Sequence, residues 1–422
     1  MAIQNLYPAL RPSLDLNFAG SKTVDPRITF TRASSASYFD EFGVMRTASN
    51  NVPRIDHNPI TGECLGLLLE EQRTNLVPHS EQFDNANWAK SQVTITPNAI
   101  VAPDGTLTAD LLIEDTSNAQ HSISRGQSLL ANTTYTMYVY VKPAGRTLFR
   151  MAGSYIDNWS VSSPRADFDL TAGTVSSLVG VNAGIQSVGD GWYRCHLTAT
   201  FGAADNLGGI NILPLISSSG SIYQGDGTSG IYIWGAQLEV GAFPTSYIKT
   251  EASQVTRASD LAEMTGANFS SWYRQDEGTF VLDYVLGQKL ASMRLITTRD
   301  FAGTSFIEYI AGAGVFPTVS QGTYIYSVID SVARVAASGS AITNTPNARR
   351  VFAGAYKLND YGYCNNGNAV TVDTDATVPV AQDRLYFSSA LNANSSLLCG
   401  HIRRIAYYPR RLSNGNLIAL TT

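Results

Sequence analysis

Hydrophobic and polar residues alternate along much of this chain. The clearest alternating segments span residues 134–141, 192–201, 231–234 and 278–286. Successive side chains of a β-strand point to opposite faces, so each segment predicts a strand with one buried face. Short strands separated by turn residues are typical of β-sandwiches and β-barrels. The pattern therefore predicts an all-β protein.

Signals for helices and hairpins are few. Residues 412–420 predict a brief helix with Ser413 as its N-cap, and residues 109–114 predict one or two helical turns. The dipeptide Asn366-Gly367 lies between two alternating segments. A type I′ turn needs positive φ at both central residues, which Asn and Gly tolerate, so the sequence predicts a hairpin at residues 361–372.

Composition narrows the class of protein. The chain has 422 residues, enough for two or three domains, and 44% of them are hydrophobic, so it can bury sizeable cores. Charged residues make up only 15%, and the formal net charge of −5 argues against a nucleic-acid partner. No apolar run reaches the roughly 18 residues that span a membrane, so membrane insertion is not expected.

The N-terminus and the cysteines indicate synthesis in a reducing compartment. Residues 1–6 lack a basic segment followed by an apolar core, so a cleaved secretion signal is not expected. The cysteines form no Cys-x-x-Cys pair and predict no zinc ribbon. We expect buried free thiols, with Cys364–Cys399 the one disulfide pairing worth testing. The cysteines are Cys64, Cys195, Cys364 and Cys399.

Charge and proline content divide the chain into three parts. Residues 1–76 have a net charge of −1, residues 77–262 of −6 and residues 263–422 of +2. The shift coincides with an irregular stretch at residues 258–260, which predicts a boundary there. Residues 1–76 contain five prolines and few continuous strands. We expect this irregular segment to pack on the following domain, on a sister chain or on a larger assembly.

Three stretches of the N-terminal part carry a sequence resemblance: residues 26–36 (PRITFTRASSA), 52–57 (VPRIDH) and 66–76 (GLLLEEQRTNL). They resemble a segment found in a family of bacteriophage virion proteins known as tail, head-fibre or head-spike proteins. A carbohydrate-binding-module-like jelly roll follows them in that family, and its start, last strand and exit resemble residues 80–88 (SEQFDNANW), 232–241 (YIWGAQLEVG), 245–250 (TSYIKT) and 255–260 (VTRASD). Residues 400–413 (GHIRRIAYYPRRLS) resemble the last strand and helix of concanavalin-like, laminin-G-type sandwiches.

The resemblance implies an organisation and a role. It implies an N-terminal attachment segment at residues 1–76, a jelly roll at residues 77–262 and a laminin-G/concanavalin-like sandwich at residues 263–422. It further implies a protein on the virion surface, made in the host cytoplasm, that adheres to host surface polysaccharide. Other virion proteins would contact the N-terminal segment, and a homo-oligomer, most simply a trimer, would gain avidity from repeated weak contacts. No functional residue is carried over from the family.

Aromatic residues are the first candidates for a sugar site, because an aromatic ring stacks on the apolar C–H face of a pyranose. The best cluster is Tyr155, Asp157, Asn158 and Trp159, in a predicted loop where two rings flank two polar side chains. Tyr223 and Tyr232 are further candidates. Trp192 and Trp234 lie inside clear strands and are expected in the core. The alternative for every ring is packing inside the sandwich.

The third part of the chain offers a second candidate site. Tyr361, Tyr363 and Asn365 belong to the predicted hairpin, whose tip either faces sugar or is an ordinary solvated turn. Asp373 and Asp375 share one face of a strand and are weak candidates for a structural calcium ion, with surface charge as the alternative.

Catalysis has little support in the sequence. The histidines stand apart, and neither a Gly-x-Ser-x-Gly elbow nor a phosphate-binding Gly-x-x-x-x-Gly-Lys-Ser/Thr loop is present. Glycoside hydrolysis needs only two carboxylates, and the carboxylates of Glu70, Glu71, Asp157 or Glu239 can converge in the fold. Glu70-Glu71 is better explained as part of an interdomain connection with Arg73. We therefore expect a non-catalytic protein, with a purely structural decoration protein and a polysaccharide depolymerase as alternatives.

Overall fold

A computed structural model describes residues 8–218, 220–287, 293–312, 322–329, 332–335, 348–388 and 398–422. Residues 1–6, on which the expectation about a secretion signal rests, lie outside these ranges. The described chain is built almost entirely from β-strands arranged as sandwiches, and the predicted all-β class with jelly-roll and laminin-G-like sandwiches is confirmed.

The N-terminal part contributes short strands and one helical turn. They are β1 (Leu14–Leu16), α1 (Phe18–Ser21), β2 (Thr29–Thr31), β3 (Ala36–Phe39), β4 (Met45–Ala48), β5 (Arg54–His57), β6 (Cys64–Leu69) and β7 (Arg73–Asn75).

The middle part contains the longest strands. They are β8 (Ala89–Ser91), β9 (Val93–Ile100), β10 (Ala109–Glu114), β11 (Asn118–Gln120), β12 (Ser122–Leu129), β13 (Thr134–Ala144), β14 (Leu148–Ser154), β15 (Arg165–Asp169), β16 (Thr174–Val179), β17 (Asn182–Gly189), β18 (Trp192–Thr200), β19 (Asn206–Leu215), β20 (Ile222–Gln224) and β21 (Gly230–Val240); a 3₁₀ turn covers Ile156–Asn158.

The last part holds the remaining elements. They are β22 (Val255–Arg257), β23 (Leu261–Thr265), α2 (Ala267–Ser270), β24 (Glu277–Leu286), β25 (Met293–Arg299), β26 (Phe306–Gly312), β27 (Gly322–Ile329), β28 (Val332–Val335), β29 (Arg349–Lys357), β30 (Tyr361–Asn365), β31 (Thr371–Asp373), β32 (Arg384–Phe387), β33 (Gly400–Tyr408) and α3 (Asn414–Thr421).

Two antiparallel sheets form the jelly roll. One has the order β17-β18-β13-β21-β10-β9, and the other has the order β16-β15-β14-β19-β12-β8. Their inward side chains, among them Met137, Phe149, Leu197 and Ile212, form one apolar core. The outward positions of the second sheet alternate with these core residues, so that sheet presents a separate outer face.

The C-terminal sandwich has a different strand order. One sheet runs β31-β30-β29-β24-β33-β6-β5, with β1 paired to β33, and the other runs β2-β23-β32-β25-β26-β27-β28. Phe280, Tyr309, Phe352 and Tyr407 are among the rings that fill the space between them. Helix α3 covers the outside of the first sheet, where Leu417 packs near Cys364.

Strands of the N-terminal part pair with strands in both sheets of the C-terminal sandwich. Strand β1 pairs with β33 at Leu14↔Tyr407, and β6 pairs with the same strand at Leu69↔Gly400. Strand β2 pairs with β23. Three of its prolines, Pro26, Pro53 and Pro59, fall in turns or connections rather than inside strands, which explains why the sequence shows few continuous strands. Of the packing partners left open above, the structure shows the chain's own domains: besides the C-terminal sandwich, Met45 packs with Trp192 and Trp234 of the jelly roll.

Most element predictions agree with the structure. The four alternating segments lie in β13, β18, β21 and β24. Helix α3 begins after Ser413, whose hydroxyl accepts from the backbone N–H of Asn416. Asn366 and Gly367 have φ of 46° and 72°, as the predicted hairpin requires. The helical turn predicted at residues 109–114 is wrong: these residues form β10, since pairing with both β9 and β21 overrides a weak local preference.

The cysteines and the helices add two simple facts. Cys64, Cys195, Cys364 and Cys399 are all buried free thiols, and Cys364 and Cys399 are not bridged. Within the described ranges, every helix is too short or too polar to cross a membrane.

Candidate functional site

Tyr155 is the exposed ring of the predicted sugar loop. It follows the last residue of β14 and has φ 55° and ψ 61°, a left-handed conformation that turns the chain into the 3₁₀ turn. Half of its surface is exposed, 50%. Its ring lies against the outer side of β12 at Gly126, where an added Cβ would come within 2.3 Å of Tyr155 Cε2. The missing side chain of Gly126 therefore makes room for the ring.

Trp159 does not belong to this exposed surface, which corrects the sequence-based prediction. Its ring is only 4% exposed and packs edge-on against Phe201 at 5.2 Å between centroids. Its indole N–H donates to the carbonyl of Ser154 at 2.9 Å. The ring closes the end of the jelly-roll core and is not free to stack on a sugar.

The two polar residues of the loop are engaged in holding it. The carboxylate of Asp157 accepts from the Ser162 hydroxyl at 3.1 Å. The Asn158 amide donates to the Leu207 carbonyl at 2.8 Å and accepts from the Asn206 amide at 3.2 Å. These bonds position the loop against the start of β19, so Asp157 and Asn158 act on the site through the loop.

Tyr223 is likewise buried and is not a stacking ring. Its hydroxyl donates to the Glu114 carboxylate at 2.7 Å, and its ring packs against His121 at 4.7 Å between centroids. Burial raises the pKa of Tyr223 well above its ordinary value. The prediction that it contacts sugar is wrong because strand β20 turns the ring inward.

The predicted hairpin site in the C-terminal sandwich is also buried. Tyr361, Tyr363 and Asn365 all lie on β30, every residue of which is buried. Tyr361 donates to the Thr377 carbonyl at 3.0 Å, and burial raises the pKa of Tyr363 to about 12. The prediction fails because Tyr361 and Tyr363 point into the core between the two sheets of the C-terminal sandwich.

Tyr155 borders a groove on the outer face of the second jelly-roll sheet. The groove has a volume of about 400 Å³ and crosses β8, β12, β19 and the end of β14. Cross-strand pairing places Ser124 opposite both Ala89 and Asn211. The groove is lined by Asn87, Ala89, Ser124, Arg125, Gly126, Ser154, Tyr155, Ile156 and Asn211.

Two polar atoms of this groove have no partner. The side-chain oxygens of Asn211 and Ser154 are buried and make no hydrogen bond within the described residues. Most buried polar groups in proteins are paired, because an unpaired one costs about 1–3 kcal/mol. A hydroxyl that enters the groove would supply the missing donor, and the ring of Tyr155 would lie beside it.

Sequence inspection missed most of this groove, although a signal was present. Asn211 stands between Ile210 and Ile212, and Ser124 follows Ile123 with the same alternation. Both isoleucine strands bury their apolar residues, so the intervening polar residues must lie on the outer face. Only the tertiary pairing of β12 with β19 shows that these two polar residues meet.

The carboxylates considered for hydrolysis are tied to arginines or lie elsewhere. Glu70 accepts from Arg54 at 2.8 Å, and Glu71 pairs with Arg73, as expected for an interdomain connection. The buried Glu239 accepts from the Thr245 hydroxyl at 2.7 Å. Arg73 lies 3.9 Å from Glu239 as well, whereas the Asp157 carboxylate accepts from Ser162 in the loop after β14.

Asp373 and Asp375, the weak calcium candidates, are joined by a hydrogen bond that stabilises a turn. The Asp373 carboxylate accepts from the backbone N–H of Asp375 at 2.9 Å. Across the described ranges, no group of three or more His, Cys, Asp or Glu side chains is placed to hold a metal ion.

Comparisons with known proteins give distant structural likenesses. No family model and no curated protein sequence matches this chain. The CBM40 of Ruminococcus gnavus IT-sialidase is 13% identical over 37% of this chain and 88% of its own, with a TM-score of 0.28. Trypanosoma rangeli sialidase with the inhibitor DANA is 10% identical over 74% and 60%, with a TM-score of 0.26. Mouse laminin α1 chain domains LG4-5 are 10% identical over 71% and 89%, with a TM-score of 0.24. These values are too low to carry any conclusion about function.

Proposed function

We propose that this chain binds glycans, without cleaving them, in the groove beside Tyr155. The proposal rests on one observation: an exposed aromatic ring adjoins buried oxygens of Asn211 and Ser154 that lack partners. The ring would stack on the C–H face of a pyranose, and the two oxygens would accept hydrogen bonds from its hydroxyls. Ser124 and Asn87 add polar groups on the same surface.

We further propose that the binding serves attachment of a bacteriophage particle to host surface polysaccharide. The sequence stretches that resemble virion proteins support this role. In this attachment role, residues 1–76 contact other virion proteins. A homo-oligomer, most simply a trimer, presents several copies of the groove. A single groove of this size gives weak binding, which repetition on a particle would strengthen.

Binding to a glycan array and to intact bacteria tests the proposal. Tyr155→Ala should weaken glycan binding by about tenfold or more, because the stacking contact and the water-excluded face are both lost. Tyr155→Phe should retain binding, since the ring remains. Phe42→Ala removes another exposed ring, at 80% exposure and outside the groove, and should leave binding unchanged.

Two results would contradict the proposal. Absence of binding to every glycan and every bacterial surface would favour a purely structural decoration protein. Release of reducing sugar from a bound polysaccharide would instead indicate a depolymerase.

A further inference from the structure

The side chains that face the groove beside Tyr155 are uncharged. Among the described residues that line it, Arg125 is the one charged residue. Its side chain lies opposite Ile210, on the core-facing side of β12 and away from the groove. Hydrogen bonds and apolar contacts must therefore account for any preference of the groove for one sugar over another.

The two unpartnered oxygens of the groove differ in the hydrogen bonds they can form. The Oδ1 atom of Asn211 is a buried amide oxygen, which only accepts. The Oγ atom of Ser154 belongs to a buried hydroxyl, which can donate as well as accept, and Ser154 as a whole is only 8% exposed. The pair therefore offers one acceptor and one available donor.

The strand register places these two groups at diagonal positions on one face of the sheet. Asn211 of β19 pairs with Ala152 of β14, and Gly209 pairs with Ser154. Diagonal neighbours of this kind lie about 7–8 Å apart in an antiparallel sheet. Ala152 and Gly209, at the other two corners, have no side chain beyond a methyl group, so their side chains do not separate the two oxygens.

An apolar side chain borders the same part of the groove. Ile156 follows Tyr155 at the start of the 3₁₀ turn and lines the groove. Its surface is 47% exposed, so an apolar group of a ligand can still cover it and gain by doing so. An acceptor, a donor and an apolar contact thus occur together.

We infer that the groove selects sugars that carry an acetamido group, such as glycans built from N-acetylhexosamines. This inference rests on the glycan binding proposed above and names the chemical class of the ligand. The N–H and C=O of a planar trans amide point in opposite directions, so they reach partners on either side of it. The N–H would donate to Asn211, the C=O would accept from the Ser154 hydroxyl, and the methyl group would pack on Ile156. The ring of Tyr155 would stack on the sugar itself.

Matched pairs of sugars test the inference with the full chain. Chitotetraose and cellotetraose differ only in that each ring carries an acetamido group in the first and a hydroxyl group in the second. The methyl glycosides of N-acetylgalactosamine and galactose form a second pair, and those of N-acetylmannosamine and mannose form a third. In ligand-observed NMR titrations, the acetamido member of at least one pair should bind about tenfold more tightly, because the hydroxyl member leaves a buried oxygen unpaired. The preference should be the same at low and high salt, since no charge takes part.

Substitutions at the two oxygens separate recognition from a structural role. Asn211→Ala and Ser154→Ala should each weaken binding of the acetamido member about fivefold and change binding of the hydroxyl member less than about twofold. Neither should lower the midpoint of urea unfolding, because the removed oxygens have no partner in the folded protein. Asn182→Ala is the matched control: it removes an exposed asparagine of β17, in the other sheet, and should change neither affinity.

The outcomes distinguish this inference from the proposed function. Equal affinities within every pair, or equal weakening of both members by Asn211→Ala, would overturn the selection of acetamido sugars while the groove proposal stands. Binding to other glycans without affinity for any acetamido member would overturn it as well. Tyr155→Ala should weaken binding of both members of a pair, and unchanged binding in that variant would overturn the groove itself.

Discussion

At the scale of single residues, the groove depends on a contact between a ring and a missing side chain. Tyr155 adopts a left-handed backbone conformation that is unusual for an aromatic residue, and its ring rests where Gly126 leaves space. Strain of this kind persists only where the surrounding structure holds it in place. The hydrogen bonds of Asp157 and Asn158 supply that support within the same loop.

Substituting Gly126 tests this contact without touching the ring itself. In Gly126→Ala the new methyl group would lie 2.3 Å from Tyr155 Cε2, so the ring must leave its position. We expect glycan affinity to fall about tenfold, because the stacking face is misplaced. Titration with the polymer that the wild-type protein binds measures the effect. Ser128→Ala, at an exposed site on the same strand, should bind normally; full affinity in Gly126→Ala would show that the ring position does not matter.

The contrast between Tyr155 and Trp159 shows what the sequence could and could not predict. Both rings belong to one loop, which the sequence singles out as a candidate site. It could not tell which ring faces water, because a shift of one position exchanges the two faces of a strand. Trp159 turns inward above Gly153, where a Cβ would meet its ring at 2.6 Å. That space exists only after β14 and β19 have paired.

At the scale of elements, the turn at residues 84–88 forms one wall of the groove and is held in place by hydrogen bonds from Lys90. Residues 84–88 lead into β8, and the ammonium of Lys90 donates to the carbonyls of Asp84, Asn85 and Trp88 at 2.8–3.0 Å. Burial lowers the pKa of Lys90. Since Asn87 lies in this turn and lines the groove, the lysine acts as a positioning residue for the site.

Removing the ammonium should loosen the turn. Lys90→Met deprives three carbonyls of their charged donor, and we expect the free energy of unfolding to fall by about 1–2 kcal/mol, a value discounted for the partial exposure of the side chain. Urea denaturation measures this loss, and glycan affinity should weaken in parallel. Lys22→Met removes an exposed lysine paired with Glu41 and should leave the urea midpoint near that of the wild-type protein. An unchanged midpoint in Lys90→Met would contradict the role assigned to it.

The elements also show which structures local sequence can specify. Strands β13, β18 and β24 follow from alternation alone, because each has one clearly apolar face. β10 and β30 do not, because both are enclosed by partners distant in sequence: β10 by β21, and β30 by helix α3. Their assignment requires knowledge of the neighbours, which no local pattern contains.

At the scale of the whole molecule, a buried cluster of charges joins residues 1–76 to the stretch 255–260, which leads from the jelly roll into the C-terminal sandwich. Arg54 binds Glu70 at 2.8 Å and Asp260 at 2.5 Å, Arg32 binds Asp260 at 3.1 Å, and Arg257 lies 3.6 Å from Glu70. All five side chains are buried. They come from the stretches on which the resemblance to virion proteins rests, so those stretches encode a joint between the parts rather than a ligand site.

We expect the buried charge cluster to make the regions that it connects unfold together, and to lose its contribution to stability in acid. Arg257 and Arg54 outweigh the effect of burial and hold the pKa of Glu70 well below its usual range. A carboxyl group whose pKa is lower in the folded state stabilises the protein above its unfolded pKa, about 4.3, and loses that contribution as the pH falls below it. Arg54→Met leaves buried carboxylates without their main partner, so we expect a loss of about 3–5 kcal/mol at pH 7. Calorimetry should show one transition for the wild-type protein and separate transitions for the variant. Between pH 5 and pH 3, the variant should lose less stability than the wild-type protein does. Arg46→Met, which breaks only the exposed pair with Asp40, should behave as wild type; a single unshifted transition in Arg54→Met would show that the cluster does not couple the parts.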